Sequence, residues 1–407
     1  MVSLATYAAL SSIAVGQERL GDDRHKYEAP PLVACPDASG STGIFIGEGQ
    51  CILVSGEARL AVGYDSSAGL LAWHSEIGRV TGVLGTDLGP VFGVLAVRNE
   101  GTLPRDYYST TRDGLSLYEA YVAVGEDVRL TVGKAPSIIK TDDGKPLDWL
   151  GRDNSYGVFF PIENDGSVPL TANSVQLSGR LSDDFQIGLA WEDGVTGNFW
   201  YPELTQPHVV ASARYDDGQT QASVLVGQFR APSDAGSGFY GAGDSFAGRL
   251  TVNSLLTDTF RVLLGGSFGS DQHIGGMISA QAQLGPLELA GTYQKVGGYV
   301  SSDQPTLLSS SLTAKISSAL SIRLGALATR SEYDDSRQIG VGSIFEVWEN
   351  ATLELEIGRY QDDWSSLNYA RGSLDWHINE SAKAKASAVL TSDGGYKIES
   401  EVVTSFR

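Results

Sequence analysis

No run of eighteen apolar residues occurs in this chain, which excludes a conventional transmembrane helix. Basic side chains are scarce, 29 against 49 acidic ones. The resulting net charge of −20 argues against nucleic acid as a partner, since phosphate binding needs a basic surface. The five histidines show no HExxH or paired spacing, so no transition metal and no other cofactor is expected. Cysteine is limited to Cys35 and Cys51, with no CxxC redox spacing. Glycine, by contrast, is abundant (49 residues), aromatics are well represented and the charged fraction is ordinary, so the chain is not a disordered one. Lacking a helical span does not exclude a membrane. A membrane barrel alternates lipid-facing and water-facing residues, and its mean hydropathy looks like that of a soluble protein.

Residues 1–16 resemble the apolar core of an export signal, with small residues at Ser12, Ala14 and Gly16 where a peptidase would want them. No Lys or Arg precedes that core, so the basic end of such a signal is absent, and a packed or disordered arm is the alternative. Residues 17–50 read as an N-terminal periplasmic arm leading into a Cys-bridged segment. Two cysteines this close in an exported chain suggest a disulfide worth about 3 kcal/mol. A free buried pair is the other possibility.

From residue 51 to 407 the pattern is that of strands. Ile52, Val54, Ala58, Leu60, Val62 and Tyr64 fall on one face, and Ser55, Glu57 and Arg59 on the other. Period two over this length cannot be a helix stripe. The pattern repeats in about twenty segments of a length that a tilted strand needs to cross a bilayer. Every second connection is tight, as at Glu126-Asp127, Asp216-Asp217-Gly218, Gly285-Pro286 and Glu349-Asn350. Several intervening ones, at 99–114, 194–206, 230–243 and 297–306, are longer and rich in Gly or Ser. Short turns on one rim and longer loops on the other are the habit of an up-and-down membrane barrel. Aromatics gather at segment ends (Tyr64, Trp191, Tyr215, Phe260, Trp376, Phe406), as an interfacial girdle would. The apolar faces need a cover that no helix supplies, and lipid is the simplest one. A soluble two-sheet sandwich is the competing architecture.

Between Lys134 and Asn173 the alternation stops. The stretch 135–173 is too broken by Pro and Gly for a long helix and too long for a hairpin loop. It carries Leu147, Trp149, Phe159 and Phe160, which a free surface loop would not expose, so the loop is expected to fold inside the barrel and pack against its wall.

The run CPDASGSTGIFIGEGQCILVSGEARLAVGYD, Cys35 to Asp65, together with the position of that loop after the fifth barrel segment, resembles the alphaproteobacterial general porins (rhizobial and Brucella type). The resemblance implies an all-β fold: a closed antiparallel transmembrane β-barrel with an even strand number and an inward-folded constriction loop. It implies sixteen strands where segmentation gives about twenty. It also implies an outer-membrane location, a homotrimer, and contact with membrane lipid and lipopolysaccharide. The function expected is passive diffusion of small hydrophilic solutes and ions through a water-filled channel. The alternatives are a substrate-selective channel and a non-conducting or secreted β-protein used for adhesion. Porins usually end on an aromatic residue, whereas Phe406 is followed here by Arg407.

A channel needs a narrowing whose charges sort solutes rather than a catalyst. The loop offers Asp142, Asp143, Asp148, Asp153, Glu163 and Asp165, and the inward strand faces offer Arg59, Arg98, Arg129 and Arg180 as an opposing basic wall. Solvated turn acids are the plainer reading of any one of those carboxylates. An enzyme reading would use Gly243-Asp244-Ser245-Phe246 as an esterase-like nucleophile motif with Asp375 and His377. That motif needs a strand-to-helix turn, and here it opens a strand, so no enzymatic activity is expected. Gly236–Gly241 fits a dinucleotide loop by letter but lacks a surrounding βαβ unit.

Overall fold

The computed structural model describes residues 32–35, 42–47, 49–67, 69–87, 89–103, 114–138, 145–154, 171–195, 205–231, 243–269, 274–295, 305–331 and 335–406. The strands begin with β1 (Gly43–Gly47), β2 (Gln50–Asp65), β3 (Gly69–Leu84), β4 (Val91–Leu103), β5 (Gly114–Val124) and β6 (Val128–Pro136). A short helix, α1 (Trp149–Asn154), precedes β7 (Thr171–Ser182), β8 (Phe185–Val195), β9 (Thr205–Asp216), β10 (Thr220–Ala231) and β11 (Gly243–Thr257). Then come β12 (Phe260–Gly269), β13 (Ile274–Leu284), β14 (Leu287–Lys295), β15 (Thr306–Lys315) and β16 (Leu320–Arg330). The last five are β17 (Asp335–Trp348), β18 (Ala351–Gln361), β19 (Ser366–Asn379), β20 (Ala382–Thr391) and β21 (Tyr396–Phe406).

From β2 onward each strand pairs antiparallel with the next, and β21 returns to β2, from Lys397↔Asp65 to Phe406↔Gly56. The barrel is therefore closed with twenty strands, and β1 is an extra one. The segment count read from the sequence holds, and the sixteen strands implied by the family resemblance do not. Each of β2 to β21 is a strand of the barrel wall, because each pairs with a neighbour on both sides.

Strand β1 shows how the seam is finished. Pairing of β21 with β2 stops at Phe406↔Gly56, and β1 takes over the same edge of β2, from Gly43↔Leu53 to Gly47↔Gln50. The Val54 N–H donates to the Thr42 carbonyl at 2.9 Å. Two pieces of chain from opposite ends thus satisfy one strand edge, leaving few backbone groups unpaired there. The Phe406 ring lies over Gly56, where an added Cβ would meet it at 2.7 Å.

Alternation sets the two faces. Outward positions on β16 are Ile322, Leu324, Ala326 and Ala328, while Arg323, Gly325 and Leu327 point inward and are buried. The same rule leaves Leu60 55% and Ile357 63% exposed on the outer surface, and comparable side chains recur on strand after strand. A continuous exposed apolar belt of this kind needs an apolar solvent, which a bilayer core supplies. Among the described residues no helix is long and apolar enough to cross a membrane, so the strands carry that belt alone. Stacked Tyr64 and Tyr396 (5.8 Å between ring centroids) edge the belt at one rim, and Trp348 and Trp376 (6.4 Å) edge it at the other. The short turns 125–127, 217–219, 285–286 and 349–350 share the rim of Trp348 and Trp376; the longer connections 104–113, 137–170, 196–204 and 232–242 join strands at the opposite rim, beside shorter ones such as 66–68 and 392–395.

Candidate functional site: the lumenal loop and its wall

Twenty tilted strands spaced about 4.8 Å apart make a ring roughly 40 Å across, too wide for wall side chains to fill. What enters the lumen therefore decides what passes. The chain leaving β6 turns inward under the hold of Glu192 on β8: the Ser137 hydroxyl donates to its Oε2 at 2.6 Å and the Ile138 N–H to its Oε1 at 2.9 Å. Residues 145–154 then reach strands β12 to β17 on the other side of the ring.

Each attachment there has a visible cause. The Leu147 N–H donates to Ser279 Oγ on β13 at 2.9 Å, and the Trp149 N–H to Ser311 Oγ on β15 at 3.2 Å. Leu147 packs with Leu263 and Met277, and Leu150 with Leu307 and Leu327. Asp148 is the N-cap of α1: its Oδ2 accepts from the Gly151 N–H at 2.7 Å, and its backbone carbonyl from the Arg152 N–H at 2.9 Å. Its other oxygen accepts from the Thr292 hydroxyl on β14.

Trp149 has a seat made of glycine. Gly325 and Gly340 are cross-strand partners, as are Arg323 and Gly342. A Cβ on Gly340 or Gly342 would lie 3.2 Å from the indole, and one on Gly325 would lie 2.8 Å from Leu150 and 3.1 Å from the indole. Arg323 covers the indole with its Cζ 3.9 Å from the ring centroid, and its Nη2 donates to Glu354 Oε2 on β18 at 3.0 Å.

Among the described residues, Asp148, Arg59 and Arg98 of the predicted charges each have a partner close by. Asp148 is fully buried as cap and latch on the β14 side rather than open to a basic wall. Asp153 lies in α1, and Asp142, Asp143, Glu163 and Asp165 lie outside the described residues. Arg59 and Arg98 point inward, yet each meets an acid two positions along its own strand: Glu57 at 2.6 Å and Glu100 in direct contact. Arg129 lies over the Phe92 ring at 5.3 Å and donates to the Gly125 carbonyl at 3.3 Å, while Arg180 is exposed in the lumen near the short-turn rim. A buried cluster that the sequence did not single out, Arg79 with Glu119 (3.1 Å) and the Tyr121 hydroxyl (2.8 Å), belongs to the same inner wall.

Cys35 and Cys51 form a disulfide, with their Cα atoms 5.8 Å apart. Cys51 points inward, so the bridge holds Leu32–Cys35 against an inner-wall cluster that includes Val83, Phe92 and Tyr121. The arm read as periplasmic is thus, in its described part, packed inside the barrel and then paired at the seam. The esterase-like motif does not assemble: Gly243 opens β11 at the rim opposite the one where Asp375 and His377 sit near the end of β19. Gly236–Gly241 lies outside the described residues. Among the described residues no three His, Cys, Asp or Glu side chains gather to hold a metal.

No protein-family model and no curated protein matches the sequence. Solved structures of similar fold include OccD3 of Pseudomonas aeruginosa, at a TM-score of 0.50 and 10% identity over 93% of this chain and 95% of that one. A mutant of the Rhodopseudomonas blastica porin has a TM-score of 0.40 at 11% identity, over 87% of this chain and 100% of that one. A loop-deletion form of OmpT, an outer membrane protein of Vibrio cholerae, has a TM-score of 0.40 at 12% identity, over 87% of this chain and 98% of that one. At 10% identity the likeness to OccD3 is one of fold alone.

Proposed function

We propose that this barrel is a porin-like channel of the bacterial outer membrane, through which small hydrophilic solutes and ions diffuse passively. The observation that carries the reading is the loop after β6, fastened across a lumen that twenty strands leave too wide to fill. The greasy exterior faces lipid, the polar interior faces water, and residues 135–173 set the width of the passage. The resemblance of Cys35–Asp65 to alphaproteobacterial general porins, and the homotrimer it implies, belong to the same reading. Loop acids outside the described residues (Asp142, Asp143, Glu163, Asp165), together with Asp153, remain the proposed acidic side of the narrowing, with Arg180, of the four arginines expected to oppose them, the one most open to the lumen.

Liposome swelling tests this. Vesicles carrying the folded protein are expected to swell in sugars of rising size up to a sharp limit, with rates independent of sugar stereochemistry. Absence of swelling at every size would contradict the proposal, and strong preference among isomers would favour a substrate-selective channel instead.

A further inference from the structure

Beneath the folded-in loop, on the side of β9 to β12, lies a cavity of about 290 Å³ into which four cations converge: Lys145 and Arg152 from the loop, Arg214 from β9 and Arg261 from β12. Among the described residues no carboxylate lines it. We propose that this cavity binds a small oxyanion, the phosphate or carboxylate group of a solute in transit. The proposal deepens the channel reading and rests on it only for the words "in transit".

The side chains are disposed for such a ligand. Arg261 is steadied through Nε by Asn253 Oδ1 at 2.7 Å, and Arg152 through Nε by the Pro146 carbonyl at 3.4 Å. Each guanidinium therefore keeps its two terminal nitrogens for a forked contact, the geometry that suits phosphate and carboxylate. Among the described residues neither of them, nor Lys145, is in an ion pair. Arg214 Nη2 lies 4.0 Å from Asp216 Oδ2, and that carboxylate already accepts from the Gly218 N–H and the Gln221 amide, both at 3.1 Å. Ser223 and Thr251 share one hydrogen bond at 2.6 Å on the cavity wall, which leaves the second hydroxyl proton of the pair to donate to a ligand. Leu147 packed on Leu263 closes one side with apolar surface, which weakens the screening of the charges. Like charges gathered around so small a space repel one another, and an anion relieves that repulsion. The chain as a whole is acidic, so the site would select against the sign of the bulk protein charge.

Two readouts on the folded full-length protein test this: equilibrium dialysis of labelled inorganic phosphate in detergent, and phosphate added to single channels in a bilayer. Saturable binding and concentration-dependent interruption of the current are expected. Each should weaken about tenfold in Arg261→Gln and in Arg152→Gln, and be largely restored in Arg261→Lys. Displacement of the labelled phosphate by succinate identifies a site for oxyanions in general; no displacement restricts it to phosphate, and either result supports the site. Phosphate that binds the wild type and both glutamine variants alike would overturn the proposal. So would failure to bind protein whose heat-dependent gel mobility shows it to be folded. Binding retained by protein that passes no current would remove the channel reading and leave the site.

Discussion

Trp149 and Asp148 divide the work of holding the loop. The indole fills a seat that exists because three wall positions, Gly325, Gly340 and Gly342, lack a side chain. The carboxylate, fully buried, ties the first turn of α1 to Thr292. Replacing Gly340 with Leu should expel the indole, and Asp148→Ala should leave a buried hydroxyl and a helix N–H without their acceptor, at a local cost on the order of 2 kcal/mol. Both variants are expected to raise and roughen single-channel conductance and to expose the loop to protease. Asp148→Ala should shift the reversal potential less than it loosens the loop; a large shift with an undisturbed loop would make the carboxylate a selectivity charge instead. The sequence showed that Trp149 needed a partner but not which one, because the glycines come from β16 and β17, far along the chain. It showed acids in the loop but could not tell a capping Asp from an open one. Nor did it weigh Lys145 and Arg152 in the same loop, whose partners Arg214 and Arg261 come from distant strands.

At the scale of elements, period two made all twenty wall strands legible, since a half-buried strand writes its burial into every second residue. β1 was not legible. GIFIG has three apolar residues in a row and no alternation, and its pairing depends on where β21 happens to stop. The disulfide beside it closes a sixteen-residue separation. Cys35→Ser should therefore lower stability by about 3 kcal/mol and release the segment Leu32–Cys35 from the inner wall. A fall in the temperature at which heat-dependent gel mobility changes would register this, and an unaltered temperature would show that the bridge contributes nothing. The 217–219 turn carries a pH prediction. Asp217 accepts from the Thr220 N–H (2.6 Å), the Tyr215 hydroxyl (2.9 Å) and the Gln219 N–H (2.9 Å), and these bonds hold its carboxyl below the usual range. A depressed folded-state value means a contribution that is present above the unfolded carboxyl's titration and fades as pH falls through the folded one. Asp217→Asn should flatten that acid limb; identical acid unfolding of variant and wild type would contradict the turn's role.

The whole molecule is a ring whose outside and inside want different solvents. An arginine in place of Leu324, at an outward position, should destabilise the inserted barrel by about 2–4 kcal/mol, whereas Thr329→Arg on the inward face of the same strand should be tolerated. Equal penalties measured by denaturant unfolding in lipid vesicles would mean that the belt is not solvated by hydrocarbon. The wall segments could be read from the sequence because each announces itself locally, while the exact strand number stayed open between sixteen and about twenty until the pairing of β21 with β2 closed the ring at twenty. The destination of the loop could not, because its contacts join residues more than a hundred positions apart. The most direct test of the central claim, a lipid-bound barrel with water through its middle, is single-channel recording in a planar bilayer. Discrete, long-lived steps with a linear current–voltage relation are predicted, and electrical silence from protein shown to be folded and inserted would contradict the account.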